Sequence, residues 1–330
     1  MSCYNARVIG LLGDKAWLWR AFIYLNCDRC AMESGSKAGH MGMTRTIFLS
    51  MLLCVNAQAV TPFVVQDSSG ARVAFTLPPE RIISLAPNLT ELAYAAGMGE
   101  RMVAATAYSD YPQQAAHLPR VGDAFRLDWE RLVAFKPDLV LAWGSGLSSQ
   151  SRMNFDRMGI RVLVLEPRDL VDIPKALLLL GRIAGTEAVA GAAAQAFVQQ
   201  LDALRRQYAK RTQVRTYFQI AATPLLTVND THIIGDVLRL CGGRNVFAAS
   251  PLLTLAISDE ALVKEDPQVM LAAATLGEQE GVRSSWQKLP LTAVRRGRVA
   301  FIDPDLISRT TPRILLGSRQ ICEQIELARH

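Results

Sequence analysis

RIISLAPNLTELAYAAG, residues 81–97, begins as a short β-rich apolar run, RIISL, and passes through Ala86-Pro87-Asn88 into LTELAYAAG, whose helical spacing stops at Gly97. A strand that feeds a helix is one βα unit, and the same alternation recurs outward along the chain. MVAATA (102–107), DLVLAW (138–143) and RVLVLE (161–166) read as further strands. Between them LDWERLVAFK (127–136) is a helix entered at Asp128, and SQSRMNFDRMG (149–159) is a helix closed by a glycine. The near-continuous apolar run from Leu139 to Trp143 suits a sheet covered on both faces. Upstream, FVVQDSSGARVAF (63–75) reads as a hairpin turning at Ser68-Ser69-Gly70 and added to the edge of this first lobe.

From Thr186 to Arg211 the composition shifts to Ala, Gln, Leu and Arg with no proline, a run of strong helix formers. At 1.5 Å per residue such a helix reaches about 35–40 Å, enough to connect two lobes; an ordinary surface helix within one large domain is the alternative. Beyond it the alternation resumes. RTYFQIAA (215–222) is a strand, THIIGDVLRLCGG (231–243) a helix capped by Asp230 or Thr231, and SDEALVKEDPQVMLAAA (258–274) a capped helix feeding a strand. RVAFID (298–303) and a closing helix entered by Pro312 complete the chain. The expected fold class is α/β, with two α/β lobes at 60–182 and 212–330, one long rigid helix at 183–211 between them, and a ligand cleft between the lobes.

Half of the 330 residues are hydrophobic, so a sizeable core can be buried and disorder is excluded. The net charge of +6 falls to +3 when residues 1–59 are set aside, and no Lys/Arg cluster interleaved with aromatics remains. That argues against nucleic acid as a partner. MTRTIFLSMLLCVNAQA (43–59) has a basic start at Arg45, an apolar run from Ile47 to Val55 and a small-residue exit at Ala57-Gln58-Ala59. This is the anatomy of a cleavable signal peptide, assigned to 41–59 with cleavage after Ala59, and it places the mature protein in the periplasm. The apolar run is shorter than the about 20 residues that span a bilayer. Residues 1–40 are expected to be an overextended start outside the fold; the alternative is a genuine extra segment with a helix at Ala16–Leu25. Cys27 and Cys30 are read as a non-functional pair.

After cleavage only Cys241 and Cys322 remain of six cysteines, an even pair in an oxidising compartment. A disulfide contributing about 2–4 kcal/mol is expected, the alternative being two buried thiols. His117, His232 and His330 are widely separated, with no HExxH, phosphate-binding loop, GxGxxG or GxSxG motif. No metal site, cofactor or catalytic constellation is expected. What stands at the ends of strands, where open α/β sheets form ligand crevices, is aromatic and polar: Asn88, Tyr108 with Ser109, Asp110 and Tyr111, Trp143, and Asp305 with Arg309. Taken singly, Trp143 also suits core packing, and Asp305 with Arg309 also suits a solvated pair.

RIISLAPNLTELAYAAG, YSDYP (108–112), LDWERLVAFKPDLVLAW (127–143), LCGG (240–243) and SRTTPRILL (308–316) together resemble the BtuF-like periplasmic cobalamin-binding proteins, of the helical-backbone class of ABC substrate-binding proteins. The likeness runs from about Arg81 to Cys322. The resemblance implies a non-catalytic, monomeric binding protein that grips cobalamin or a related corrinoid between two lobes and hands it to the permease subunits of an ABC importer in the inner membrane. It implies that Tyr108 and Trp143 are pocket aromatics, that Asp305 and Arg309 form a polar clamp, and that Glu130 and Glu260 dock on permease arginines. It also implies the Cys241–Cys322 bridge. Ala124, Leu226 and Thr254 stand where the family carries further aromatics; Phe125, beside the first, is the ring available there. A same-fold receptor for a ferric siderophore or haem is the alternative, and an exported α/β enzyme a remote one.

Overall fold

The computed structural model describes residues 62–330 apart from 209. The expectations for residues 1–40, for the signal peptide at 41–59 and for Cys27 and Cys30 lie outside the described residues.

Two strands, β1 (Phe63–Gln66) and β2 (Arg72–Phe75), pair antiparallel as a sheet of their own. As the sequence reading has it, the hairpin is added at the edge of the first lobe, and this happens without its joining that lobe's sheet. Ser68 N donates to the Val164 carbonyl and Asp67 Oδ2 accepts from Val164 N, so the turn rather than a strand covers the sheet edge. Asp67 Oδ1 is used up inside the turn, accepting from Ser69 and Ala71.

The first lobe continues as β3 (Ile82–Ser84), α1 (Pro87–Ala95), β4 (Met102–Ala105), α2 (Gln113–Ala116), α3 (Trp129–Ala134), β5 (Leu139–Trp143), α4 (Ser149–Arg157) and β6 (Val162–Leu165). Its four strands are all parallel, in the order β4-β3-β5-β6. Alternate residues face opposite layers. Ile82, Leu139, Leu141 and Leu163 pack with Leu89 and Leu92 of α1, whereas Ile83, Val140 and Val164 pack with Leu132 of α3 and Phe155 of α4.

Next come α5 (Asp172–Ala184) and α6 (Glu187–Tyr208), the long helix. Its 22 residues span about 33 Å. It starts later than the expected residue 183, because Gly185 takes a left-handed conformation (φ +68°) that ends α5 first. A Cβ at Gly181 would lie 2.3 Å from the Ala190 Cβ, so that glycine allows α5 and α6 their close approach. The buried residues of α6 are Ala190, Ala194, Phe197, Leu201, Leu204 and Tyr208, a 4-3-4-3-4 spacing that makes one continuous stripe.

The second lobe comprises β7 (Val214–Ala221), β8 (Leu226–Val228), α7 (Ile233–Leu240), β9 (Gly243–Asn245), β10 (Thr254–Ala256), α8 (Asp259–Glu265), β11 (Val269–Ala273), α9 (Gln279–Gln287), α10 (Thr292–Arg295), β12 (Val299–Ile302), α11 (Pro304–Ile307) and α12 (Ile314–Leu327). Its sheet runs β10-β8-β7-β11-β12 with β9 also on β7; β9, β11 and β12 join in parallel, and β8 and β10 in antiparallel. The expected cap of α7 is corrected. The acceptor is His232, through its side chain, because Thr231 spends both its N–H and its hydroxyl on Asn229 Oδ1.

One hydrophobic core passes from the first sheet through α5 and α6 into α7, α12 and Phe218 of the second sheet. The lobes therefore share buried surface, and the stripe on α6 is its centre.

Candidate functional site

Between the two sheets lies a cavity of about 1030 Å³. The first lobe walls it with residues that follow β3 and β5, with the 123–127 loop, and with Glu166–Arg168 after β6. The second lobe adds Thr231–Ile233 at the entry of α7, Leu253, and Ser308–Thr310 after α11. In the first lobe this is the carboxyl end of parallel strands, where the side chains stop and the loops diverge to leave a crevice.

Of the residues singled out from the sequence, Asn88, Phe125, Trp143 and Arg309 line the cavity. Asn88 opens α1 directly after Pro87, and its Nδ2 donates to Thr310 Oγ1 across the lobes at 3.3 Å. Trp143 is half-buried at the end of β5. Phe125 is 99% exposed at the wall, held on a tight turn in which Asp123 Oδ1 accepts from the backbone of Phe125 and Arg126. These bonds hold the Asp123 carboxyl below its usual range.

Tyr108 and Asp305 are not brought to the cavity wall. Tyr108 has φ +65° and is 76% exposed, and its carbonyl accepts from Arg309. Of the positions where the resemblance implies missing rings, Ala124 lines the cavity and Leu226 and Thr254 do not. Trp129, at the first turn of α3, lines the cavity and was not singled out. Its ring packs on Phe155 with centroids 4.9 Å apart. An indole at a helix start resembles ordinary core packing in sequence, which is why it was missed.

Arg309 is the centre of an inter-lobe ion cluster. Its Nη1 lies 2.9 Å from both Glu91 Oε1 and Asp110 Oδ1, and its Nη2 lies 2.8 Å from Asp305 Oδ1. This guanidinium, implied by the resemblance to form a polar clamp with Asp305, lines the cavity and holds three carboxylates. Glu91, 3% exposed on α1, also takes Arg313 through both carboxylate oxygens. Arg313 in turn sits 3.8 Å above the Tyr111 ring centre. Burial works against the charge of both arginines, but their carboxylate partners outweigh it and raise both pKa values. Burial raises the Asp305 carboxyl, with Arg309 pulling the other way. Glu91 stands among Leu89, Thr90, Leu92 and Ala93, all buried, where a charge requires partners.

Outside the cavity, Glu130 and Glu260 are exposed and occupy equivalent places, the second position of α3 and of α8. The N-caps are equivalent too, Asp128 accepting from Arg131 N and Ser258 from Ala261 N. The Ser258 hydroxyl and Glu260's own backbone N–H hold the Glu260 carboxyl below its usual range. Cys241 at the end of α7 is bonded to Cys322 in α12, with Cα atoms 4.6 Å apart. Among the described residues no group of three or more His, Cys, Asp or Glu side chains could hold a metal ion.

A model of the family described as "Periplasmic binding protein" matches residues 82–306. The vitamin B12-binding protein of Vibrio cholerae serotype O1 is 34% identical over 256 residues, covering 78% of this chain and 92% of that one. The vitamin B12-binding protein of Yersinia pseudotuberculosis is 36% identical over 253 residues, covering 76% and 89%. Among solved structures, the periplasmic vitamin B12 binding protein BtuF of Vibrio cholerae superposes with a TM-score of 0.71 at 34% identity, over 76% of this chain and 98% of that one. The periplasmic heme binding protein HutB of Vibrio cholerae superposes at 0.65 with 20% identity, covering 74% and 97%, a likeness of fold alone.

Proposed function

Because the chain belongs to the periplasmic binding protein family, we propose that it captures cobalamin or a closely related corrinoid in the inter-lobe cleft and delivers it to an ABC importer. The observation that carries this reading is the cleft itself. At about 1030 Å³ it reaches the upper end of the roughly 300–1,000 Å³ typical of small-molecule sites. Trp129, Trp143 and Phe125 line its wall, and it lies in a chain 36% identical over 253 residues to a vitamin B12-binding protein. Flat ring faces suit a broad, mostly apolar macrocycle, while Asn88, Ser145 and Ser148 supply polar groups for its periphery.

The residues proposed to touch the ligand are Trp143, Phe125, Asn88 and Arg309, with Trp129 added. Tyr108, exposed beside the cluster, would have to swing inward to stack on the ligand. Arg309 would have to exchange Asp110 or Asp305 for a ligand group, the two of its three carboxylates that solvent reaches. Glu130 and Glu260 are proposed to dock on basic residues of the permease. Binding without turnover, a monomeric state, and export through a signal peptide ending at Ala59 complete the reading.

Calorimetric titration of the protein with cyanocobalamin, dicyanocobinamide, haem and a ferric hydroxamate tests it. Tight binding of a corrinoid and none of the other two classes is expected. Binding of haem or the siderophore with silence towards both corrinoids overturns the reading.

A further inference from the structure

His232 stands in the cavity wall with its two ring nitrogens in unlike surroundings. Nδ1 accepts a hydrogen bond from Ile234 N at 3.1 Å and so caps α7. Nε2 has no hydrogen-bond partner among the described residues, yet it is not one of the polar atoms sealed from solvent without a partner. A neutral imidazole carries a single proton. With Nδ1 committed as an acceptor, that proton resides on Nε2. Burial pushes the ring's pKa down to about 4, so at neutral pH no second proton is taken up. The backbone of α7 thereby selects one tautomer, and the ring that carries this N–H donor lines the cleft.

We propose that His232 is a specificity-determining residue: its Nε2–H donates to an acceptor on the rim of the bound ligand, an amide carbonyl of a corrinoid side arm, and the ring does not ligate the ligand's metal. The inference rests on the corrinoid reading and deepens it. Metal ligation through Nε2 requires its lone pair, so the proton would have to move to Nδ1. There it would face the Ile234 N–H, and the cap of α7 would be lost. The side chain thus favours a ligand whose metal needs nothing from the protein and whose periphery carries carbonyl acceptors.

The variant His232→Ser keeps a good N-cap acceptor but withdraws the donor. Its melting temperature should stay close to that of the unaltered protein, while its Kd for cyanocobalamin should rise about fivefold to tenfold. In the unaltered protein, ¹⁵N shifts of the imidazole should report the Nε2–H tautomer, and that proton should exchange more slowly once cyanocobalamin is added. Diaquacobinamide, whose axial waters a protein nitrogen could displace, should bind with its visible bands in place. Equal cyanocobalamin affinity of the variant, an Nδ1–H tautomer, or a band shift that His232→Ser abolishes each overturns the proposal. If the serine variant does not fold, the tautomer and the cobinamide spectrum, both read on the unaltered protein, still decide it. If the unaltered protein does not bind cyanocobalamin at all, the corrinoid reading falls and this inference with it. If it binds and the variant binds as well, only the inference falls.

Discussion

Glu91 carries a charge almost wholly removed from water, and two guanidinium groups from the other half of the chain balance it. A buried pair contributes little net stability while intact, but removing one partner leaves the remaining charges desolvated and unmatched. Glu91→Ala should therefore cost about 3–5 kcal/mol in urea unfolding. A loss below about 1 kcal/mol would show that water replaces the carboxylate and that the cluster is more open than its geometry indicates. His232 supports a second prediction at this scale. The unfolded chain takes up its imidazole proton near the ordinary pKa of 6.5, whereas the native ring resists to about 4. Its contribution to stability is therefore fully present above pH 6.5 and declines as the pH falls from 6.5 towards 4. Denaturant midpoints measured across that window should fall less steeply for His232→Ser than for the unaltered protein, and parallel slopes would contradict the assignment. Neither role could be read from local sequence, since the partners of Glu91 lie more than 200 positions away and the cap of α7 was expected one or two residues earlier.

At the scale of elements, α6 shows why most of the fold was legible. Its composition marks a helix by propensity alone, and its 4-3-4-3-4 apolar spacing marks the buried face. The same holds for the strands: β3, β5, β6, β11 and β12 all fall within the apolar runs picked out beforehand. Local regularity was missed where elements are too short to show a period, as with β8, β9 and β10, which are three residues each and take their partners from the sheet. The run of helix formers from Thr186 meets the start of α6 at Glu187, and the left-handed Gly185 before it excludes the outer bound at 183. The stripe on α6 can be tested. Phe197→Ala should cost about 3–5 kcal/mol, since the ring is buried in the core common to both lobes. Gln199→Ala, exposed two residues on, should change stability by less than about 0.5 kcal/mol. Similar losses for both would mean that α6 is not packed as described. The Cys241–Cys322 bond reinforces the same region by tying α7 to α12 across 81 positions of chain.

For the molecule as a whole, the common core through α6 couples the lobes, and the cleft sits where their loops diverge. Equivalent helix starts on the two lobes display Glu130 and Glu260 away from the cavity wall. If these are docking points, the double variant Glu130→Ala, Glu260→Ala should bind cyanocobalamin within about twofold of the unaltered protein, because neither side chain lines the cleft. Uptake of labelled cobalamin by cells relying on the variant should drop severalfold or more. Normal uptake would remove both residues from the docking role.

By itself the sequence determined the alternation of strands and helices, the long connector, the pairing of the two late cysteines and the residue types at the strand ends. The alternation, the connector and the strand-end residue types are encoded by neighbours within a few positions, through periodicity and propensity, whereas the cysteine pair follows from a count over the whole chain. Only the tertiary structure decided that Tyr108 faces solvent, that Arg309 is held by three carboxylates, that Trp129 walls the cleft and that His232 lines it while capping α7 through Nδ1. Those outcomes depend on which distant groups arrive within about 3 Å of one another, and hydrogen bonds and ion pairs are decided at that range and at no longer one.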